Sequence, residues 1–309
     1  MDKKTIFYLM LNRLPGLGIV GLNKIINKLS PDMDLGELKF NLNSFGFNLI
    51  TIKDLDAAYE NALKTIDLCE KNDISILRGD LLPLCLRGFN DSPNIIFVKG
   101  KAAMHADLHV GVIGTRNPTV FGQEATKNIV DYLCKKTSFY VLSGLALGVD
   151  SIAHSIAINN NTRTLAILGS GILNIYPKEN LGLAHQIEEH GGYILSPFFP
   201  SDSVEKYKLI YRDKLQARLS DLMILIESKI DGGSMHAVNE SIKLNKSVGV
   251  VDYSLANINE DLFAGNTKII GINNVFKIDL NDINSSLNDK ALKSFLFSSV
   301  KKNSMNQLF

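Results

Sequence analysis

The sequence is poor in the residues that would assign it to several classes of protein. Its 309 residues include only three cysteines, Cys69, Cys85 and Cys134, without a CxxC pair or a histidine nearby at metal-ligand spacing. An odd number of scattered cysteines argues against a disulfide framework and against a zinc site. We therefore expect reduced thiols in a cytoplasmic protein, and neither a metal nor another cofactor.

An excess of one charge and long apolar runs are also missing. Lys and Arg total 33 against 32 Asp and Glu, so any anion site must come from the local placement of cations. No apolar run approaches the ~20 residues of a membrane span, and we expect no membrane partner. The apolar stretch after Lys3 and Lys4 is interrupted by Asn12 and Arg13 without a cleavage site, which favours a folded helix over a signal peptide.

The first part of the chain has apolar residues at helical spacing. Leu22, Ile25 and Ile26 follow the turn LPGLG, and a second series runs from Leu55 to Ile66. Residues 1–80 are therefore predicted to form a small helical domain. At the other end, residues 281–309 are rich in Asn, Ser and Lys and are too short for a further domain, so no winged-helix domain is expected there.

Short apolar strands alternate with helical segments from residue 108 onward. The strand candidates are LHVGVIG (108–114), FYVLSG (139–144), TLAILG (164–169), YILS (193–196), LMILIE (222–227) and SVGVV (247–251). Strands that are apolar on both faces and alternate with helices predict an α/β domain with a doubly wound, mostly parallel sheet over residues 81–280. Such sheets bind ligands at the carboxyl ends of their strands.

Four loops rich in small residues follow these strands. Their candidate phosphate-binding residues are Gly114, Thr115, Arg116 and Gly122, then Ser143 and Gly144, then Gly169, Gly171, Tyr176 and Lys178, and finally Gly232, Gly233 and Ser234. Backbone amides and helix dipoles at such turns favour an anion, and an aromatic ring beside a lysine suits a nucleotide. Each loop alone could be only a tight turn, but four loops at one rim favour a ligand rich in phosphate.

A basic segment, EKYKLIYRDKLQARLS, precedes the strand at 222–227. It includes Arg212 and Lys214, and it could follow a nucleic-acid backbone or simply face solvent. Near the second loop, Asp150 is interpreted as a helix N-cap and His154 as a packed residue.

Catalytic residues are not evident in the sequence. No Ser-His-acid set, metal cluster or pair of carboxylates can be recognised, so we assign no catalytic residue and expect a binding protein and not an enzyme. Glu227 and Glu240 are the two acids that lie near a glycine loop.

Residues 110 to about 250 resemble the DNA-processing protein A family, also called DprA or Smf. The matching phrases, in order and spacing, are VGVIGTRNPTVFG, VLSGLALGVDSIAH, AILGSGILNIYPKEN, YRDKLQARLSD and LIESKIDGGSMHAV. The resemblance implies a Rossmann-like domain that holds single-stranded DNA in a basic pocket, forms a homodimer and helps load the recombinase RecA during natural transformation. It assigns Arg116 and Lys178 to that pocket, and Arg212 and Lys214 to its arginine segment. LPGLG is similar to the family's N-terminal helical domain, of the SAM or helix-hairpin-helix type.

The chain departs from the family pattern in its charges. Leu147 stands where many members have a basic residue, Pro197 stands where a glutamate is usual, and the arginine segment is a loose match. Each lost cation would weaken phosphate binding. Two other functions stay open: a nucleotide sensor or nucleoside-monophosphate hydrolase that uses Glu240, and a helix-hairpin-helix at LPGLG that binds duplex DNA.

Overall fold

Helices form the chain up to Lys71, and strands alternate with helices beyond it. The computed structural model describes residues 2–100, 108–136, 139–254, 256, 259–279 and 281–287. The first helices are α1 (Lys3–Leu11), α2 (Ile19–Ile25), α3 (Leu35–Ser44) and α4 (Ile52–Lys71). The strands are β1 (Ile74–Arg78), β2 (Ile95–Gly100), β3 (Leu108–Ile113), β4 (Phe139–Ser143), β5 (Thr164–Ile167), β6 (Tyr193–Ser196), β7 (Leu222–Leu225), β8 (Ser247–Asp252) and β9 (Val275–Asp279). The remaining helices are α5 (Val120–Lys136), α6 (Val149–Asn159), α7 (Leu181–Glu189), α8 (Lys206–Leu219), α9 (Met235–Lys243), α10 (Ala264–Ile269) and α11 (Ile283–Ser286).

The N-terminal helices begin and pack as their sequences predict. At the start of α4, the Thr51 hydroxyl accepts from the Asp54 amide while the Asp54 carboxylate accepts from the Thr51 amide. This capping box satisfies two amides that would otherwise lack a partner. One face of α4 then buries Leu55, Ala58 and Ala62 at helical spacing.

All nine strands form one sheet, in the order β1-β2-β6-β5-β4-β3-β7-β8-β9. Seven of them, from β6 to β9 in that order, are parallel, and β2 and β1 extend the β6 edge in antiparallel fashion. The chain moves outward from β3 through β4 to β6, then returns to β3 and continues outward through β7 to β9. The predicted mostly parallel α/β sheet is confirmed, and its topological switch point lies between β3 and β7.

Helices cover both faces of the parallel strands, as a doubly wound sheet requires. On β7, Leu222 and Ile224 pack with residues of α5 and α6, whereas Met223 and Leu225 pack with residues of α8 and α9. Alternate residues point to opposite faces, so a strand covered on both sides must be apolar throughout. This constraint explains why the six strand candidates read as continuous apolar runs.

The N-terminal helices share a core with one end of the sheet. Phe97 on β2 is fully buried in the cluster that includes helix residues such as Leu9 and Leu55, and its ring centroid lies 5.5 Å from that of Phe199. The Arg13 guanidinium stacks on the Phe199 ring, with its central carbon 3.8 Å from the ring centroid. The change from helices to sheet comes at Ile74, inside the segment 1–80 that was predicted to be helical.

Two expectations concern parts of the chain that the structure describes incompletely. Of the tail at 281–309, residues 288–309 lie outside the described residues. Among the residues that are described, no helix is long and apolar enough to cross a membrane.

Because the helices and the sheet share one core, we expect them to unfold together. Phe97→Ala should lower the free energy of unfolding by about 4 kcal/mol, since it removes a buried ring and leaves a cavity. Denaturant unfolding followed by circular dichroism and by tyrosine fluorescence should show one coincident transition at a lower midpoint. Phe40→Ala is the control, because Phe40 is 74% exposed; two separate transitions would contradict the shared core.

Candidate functional site

A cleft of about 510 Å³ opens at the carboxyl edge of the sheet, at the switch point between β3 and β7. Its lining includes Gly114, Thr115, Arg116, Ala146, Asp150, Lys206, Arg212, Asp213, Lys229, Asp231, Gly232, Gly233, Ser234 and His236. An adjoining hollow of about 40 Å³ shares Arg116, Ala146, Leu209 and Arg212 with it and adds Gly144, Leu147, Gly169, Ser170 and Tyr176. We call the two together the rim cleft.

The loop after β3 is held from two sides and presents Arg116 to solvent. The Thr115 amide donates to the Glu227 carbonyl (2.8 Å), and the Val149 amide donates to the Thr115 carbonyl (3.2 Å). Gly148 has φ +77°, and a Cβ there would lie 2.5 Å from the Thr115 and Arg116 carbonyl oxygens. Among the described residues, no ion pair forms at Arg116, so its charge is available to a ligand.

The start of α5 already holds an anion that belongs to the protein. The buried Glu227 carboxylate accepts from the Thr119 hydroxyl (2.6 Å) and the Thr119 amide (3.2 Å). A Cβ on Gly122 would lie 2.4 Å from the Glu227 Oε2, so the glycine makes room for this carboxylate. A carboxylate of the protein thus occupies the space beside Gly122 at this helix start, and the Gly122 amide donates to the Thr119 hydroxyl, so a phosphate contact at Gly122 stays a prediction.

The second loop is organised around the buried side chain of Arg212. Its guanidinium donates to the Gly144 carbonyl (2.6 Å) and lies 3.7 Å from the Asp150 carboxylate and 3.0 Å from the Asp213 carboxylate. A Cβ on Gly144 would overlap the guanidinium, at 1.3 Å from its Nη1. Gly144 is thus required by the approach of Arg212, and Arg212 is a partly neutralised cation in the wall of the cleft.

Two predictions about this loop need correction. Asp150 is not the N-cap of α6, which is Gly148; its carboxylate instead accepts from the Gly144 and Ala146 amides (3.1 and 3.3 Å). Ser143 does not face a ligand, because it is buried and its hydroxyl donates to the Val112 carbonyl (2.7 Å).

The carboxyls beside Arg212 have raised pKa values. Burial raises the pKa of Asp213 to about 6, although the positive charge of Arg212 opposes the shift. Burial also raises the pKa of Asp150, again against the effect of Arg212. Desolvation disfavours the charged form of a carboxyl, so these acids take up a proton, and lose their negative charge, at a higher pH than solvated acids would.

The third loop contributes a ring and a hydroxyl to the small hollow. Tyr176 is 41% exposed there, which rules out the alternative that it belongs to the core. Ser170 is 1% exposed, and its hydroxyl has no hydrogen-bond partner among the described residues. Gly171 does not reach the cleft: a Cβ there would lie 2.1 Å from the Phe199 carbonyl oxygen, so this glycine serves a close backbone approach. Lys178 is exposed but does not line the cleft.

The fourth loop leads into α9 at the edge of the cleft. Gly232, Gly233 and Ser234 all line it, and a Cβ on Gly232 would lie 2.4 Å from the Ser228 hydroxyl. The Ser234 hydroxyl donates to the Ser228 hydroxyl (2.9 Å) and does not cap the helix. The Met235 and His236 amides at the start of α9 donate to the Gly232 and Gly233 carbonyls (both 3.0 Å), so this loop closes on itself at the edge of the cleft.

Several residues of interest lie outside the rim cleft. Lys214 pairs with Asp91 (2.9 Å), and Glu240 pairs with Arg218 (3.0 Å). His154 is fully buried with its Nδ1 2.7 Å from the Thr164 hydroxyl, and burial lowers its pKa to about 3. It is therefore a neutral core residue. Among the residues described, no cluster of three or more His, Cys, Asp or Glu could hold a metal ion.

Sequence reasoning missed some residues that the fold brings to the cleft. Lys206 and His236 are exposed at its edge, and Asp213 and Ser170 lie in its walls. Lys206 belongs to the basic segment and Ser170 to a loop already under consideration, so a signal existed for both. No sequence pattern distinguished His236 or Asp213 from ordinary helix residues.

Comparison with known proteins assigns the family. A family model described as DNA recombination-mediator protein A matches residues 74–288, well over half of the chain. The chain belongs to this family. It is 29% identical over 201 residues to the DNA processing protein DprA of Bacillus subtilis, covering 64% of each chain, which is just under two thirds of that relative's length. It is 29% identical over 228 residues to the Smf protein of Borreliella burgdorferi, covering 68% of this chain and 72% of that protein.

Solved structures of family members share the fold. DprA of Streptococcus pneumoniae superposes with a TM-score of 0.70 at 22% identity, covering 89% of this chain and 94% of that one. DprA of Helicobacter pylori, a structure described for its single-stranded DNA binding mode, superposes with a TM-score of 0.60 at 26% identity. That match covers 69% of this chain and 95% of the H. pylori chain.

The packing of Gly144 against Arg212 leads to a stability test. Gly144→Ala should lower the free energy of unfolding by about 3 kcal/mol, because the added methyl group must displace a buried guanidinium and separate it from its carboxylates. Thermal and denaturant unfolding measure the change. Gly233→Ala is the matched control, since nothing lies within 4 Å of a Cβ there. Equal midpoints for the two variants would contradict the assigned role of Gly144.

Proposed function

We propose that this chain binds single-stranded DNA in the rim cleft, mainly through the phosphates of the strand. The observation that carries the proposal is the convergence of the loops after β3, β4, β5 and β7 on one cleft at the switch point, with Arg116 exposed at its centre. The Arg116 guanidinium, which forms no ion pair among the described residues, is the group that can bind phosphate oxygens here, whereas the Thr115, Gly144 and Ala146 amides already donate within the protein.

The charges around the cleft support an anionic ligand. Arg116, Lys206 and Lys229 are exposed at its edge, whereas the acids Asp150 and Asp213 lie beside Arg212 in the wall. Asp231 is the remaining acid in the lining. Three cations are thus exposed around the cleft, and two of the three acids in its lining are already paired with Arg212.

The small hollow supports a nucleotide and not a simple anion. The exposed ring of Tyr176 can stack on a base, while the hollow itself, at about 40 Å³, has room for a water-sized group beside it. Stacking of this kind tolerates any base. We therefore expect little sequence preference.

The wider role is proposed on the strength of family membership. We infer that the chain acts in recombination during natural transformation, where a homodimer holds incoming single-stranded DNA and helps load the RecA recombinase. Membership of the DNA recombination-mediator protein A family and the described binding mode of the H. pylori relative support the first part of this inference. The homodimer and the contact with RecA rest on the resemblance alone.

The alternative of nucleoside-monophosphate hydrolysis has no supporting observation. Its expected acid, Glu240, lies outside the cleft and is bound by the Arg218 guanidinium, and Glu227 caps α5. We therefore propose binding and not hydrolysis.

Removal of the central cation should weaken binding to single-stranded DNA. Arg116→Ala should lower the affinity about tenfold at low salt and reduce the slope of log affinity against log salt by about 1, because one phosphate contact is lost. Fluorescence anisotropy with labelled single-stranded and duplex oligonucleotides measures both quantities. Lys127→Ala is the control. This substitution removes the same charge from an exposed position on α5, outside the cleft. Equal losses in the two variants would mean that net charge matters and the cleft does not.

The raised pKa of Asp213 should make DNA binding depend on pH. Its carboxyl has a pKa of about 6, so it is charged at pH 8 and mostly neutral at pH 5.5, and the cleft becomes more positive as pH falls. Affinity for single-stranded DNA should therefore rise roughly fivefold between these pH values. Asp213→Asn should bind more tightly at pH 8 and lose most of this dependence.

The other groups that face Asp213 set the controls for this experiment. Arg212, Asp150, Arg116 and His236 all interact with its charge. Both proteins should carry His236→Asn, which removes the imidazole that acts on Asp213. Because the charge of Asp150 also acts on Asp213, an Asp150→Asn variant is measured alongside to separate its share of the pH response. The same pH response with and without Asp213 would refute its role.

A further inference from the structure

A second large cavity lies between the N-terminal helices and the segment that joins β1 to β2. This cavity, here called the side groove, has a volume of about 670 Å³ and is lined by residues of α1, α2 and the segment 78–94. The Asn23 amide joins its two walls by donating to the Asn90 and Ser92 carbonyls (2.9 and 3.0 Å). None of the residues that line it lines the rim cleft.

The side groove concentrates positive charge in a chain whose net charge is only +1. Lys4, Lys24, Arg78 and Arg87 line it, and the lining contains one carboxylate, that of Asp80. Arg78 pairs with this carboxylate (3.1 Å) and also with that of Asp2 (2.6 Å), so its charge is already balanced within the protein. Lys4, Lys24 and Arg87 form no ion pair with any described residue, and Arg87 donates only to backbone carbonyls.

The floor of the groove has a buried donor without an acceptor. Asn94 is 7% exposed and lines the groove, and its Nδ2 has no hydrogen-bond partner among the described residues. Buried amide groups in folded proteins are almost always bonded, so an unbonded one needs an explanation. An acceptor oxygen of a ligand seated between the lysines would provide the missing bond.

We propose that the side groove binds a phosphate-bearing ligand of nucleotide size, whose anionic oxygens face Lys4 and Lys24 and one of whose acceptors bonds to Asn94. The cavity volume falls within the range of small-ligand sites. The half-buried Tyr8 ring in its wall suits a planar base, whereas the Phe89 ring already stacks on the Arg218 guanidinium, 3.9 Å from the ring centroid. The ligand is either a free nucleotide or the terminal nucleotide of a strand.

The test uses the full chain carrying Arg116→Ala, so that binding in the rim cleft is weakened. Calorimetric titration with deoxyadenosine monophosphate, with a phosphorylated deoxytrinucleotide and with hexaglutamate compares the two nucleotide sources with an acidic peptide. Asn94→Leu should weaken nucleotide binding about tenfold, because a bond to a charged acceptor is lost. Lys24→Gln should weaken it about threefold. Lys64→Gln should leave it unchanged, since Lys64 is exposed on α4 outside the groove.

The proposal is supported if either nucleotide probe binds and if Asn94→Leu and Lys24→Gln weaken its binding while Lys64→Gln does not. The probe that binds more tightly shows whether the ligand is a free nucleotide or the terminal nucleotide of a strand. The proposal is overturned if neither nucleotide binds, if hexaglutamate binds as tightly as they do, or if Asn94→Leu and Lys24→Gln leave the affinity unchanged. Thermal unfolding checks that the Asn94→Leu variant is folded. If it is not, the affinity of the Lys24→Gln variant for the nucleotide probes tests the proposal. Failure here would leave the oligonucleotide result for Arg116 unaffected, so the two proposals can fail separately.

Discussion

The buried guanidinium of Arg212 is the interaction on which the rim cleft depends. It joins α8 to the loop after β4 through the Gly144 carbonyl, and it lies between the carboxylates of Asp150 and Asp213. A buried charge is tolerated only where it is paired and hydrogen-bonded, so each of these groups constrains the others. The absence of a side chain at Gly144 follows from this constraint, as does the seating of Asp150 against the amides of its own loop.

The opposite side of α8 is fixed by a second set of charges. Asp91 accepts from Arg218 (2.7 Å) and pairs with Lys214 (2.9 Å), and its carbonyl accepts from the Tyr211 hydroxyl. Lys214 was a candidate for DNA contact, but its ammonium is used to hold the segment between β1 and β2 against the helix. This segment also forms a wall of the side groove. The same stretch of chain therefore supports both the helix that carries Arg212 and the second cavity.

Sequence patterns predicted the secondary structure well, and they predicted that the loops rich in small residues meet at one edge of the sheet, because both follow from local rules. Apolar runs without alternation required strands covered on both faces, and parallel strands bring the loops after them to one edge. Arg116 and Gly232 were found in this way. Gly122 and Ser143 show the limit of these rules. A helix start or a strand end attracts a polar partner, but the sequence does not show whether that partner is a ligand or another part of the chain, such as Glu227 beside Gly122 or the Val112 carbonyl beside Ser143.

The sequence by itself determined the α/β class, the edge of the sheet at which the loops after the strands meet and the family to which the chain belongs, because strand length, helical spacing and motif order are properties of neighbouring residues. Only the tertiary structure decided which polar groups remain open to a ligand. Arg116 is free, whereas Arg212 and Lys214, two residues apart on one helix, are bound to carboxylates from different parts of the chain. Pairing of charges depends on distances between residues far apart in sequence, and these distances exist only once the chain has folded.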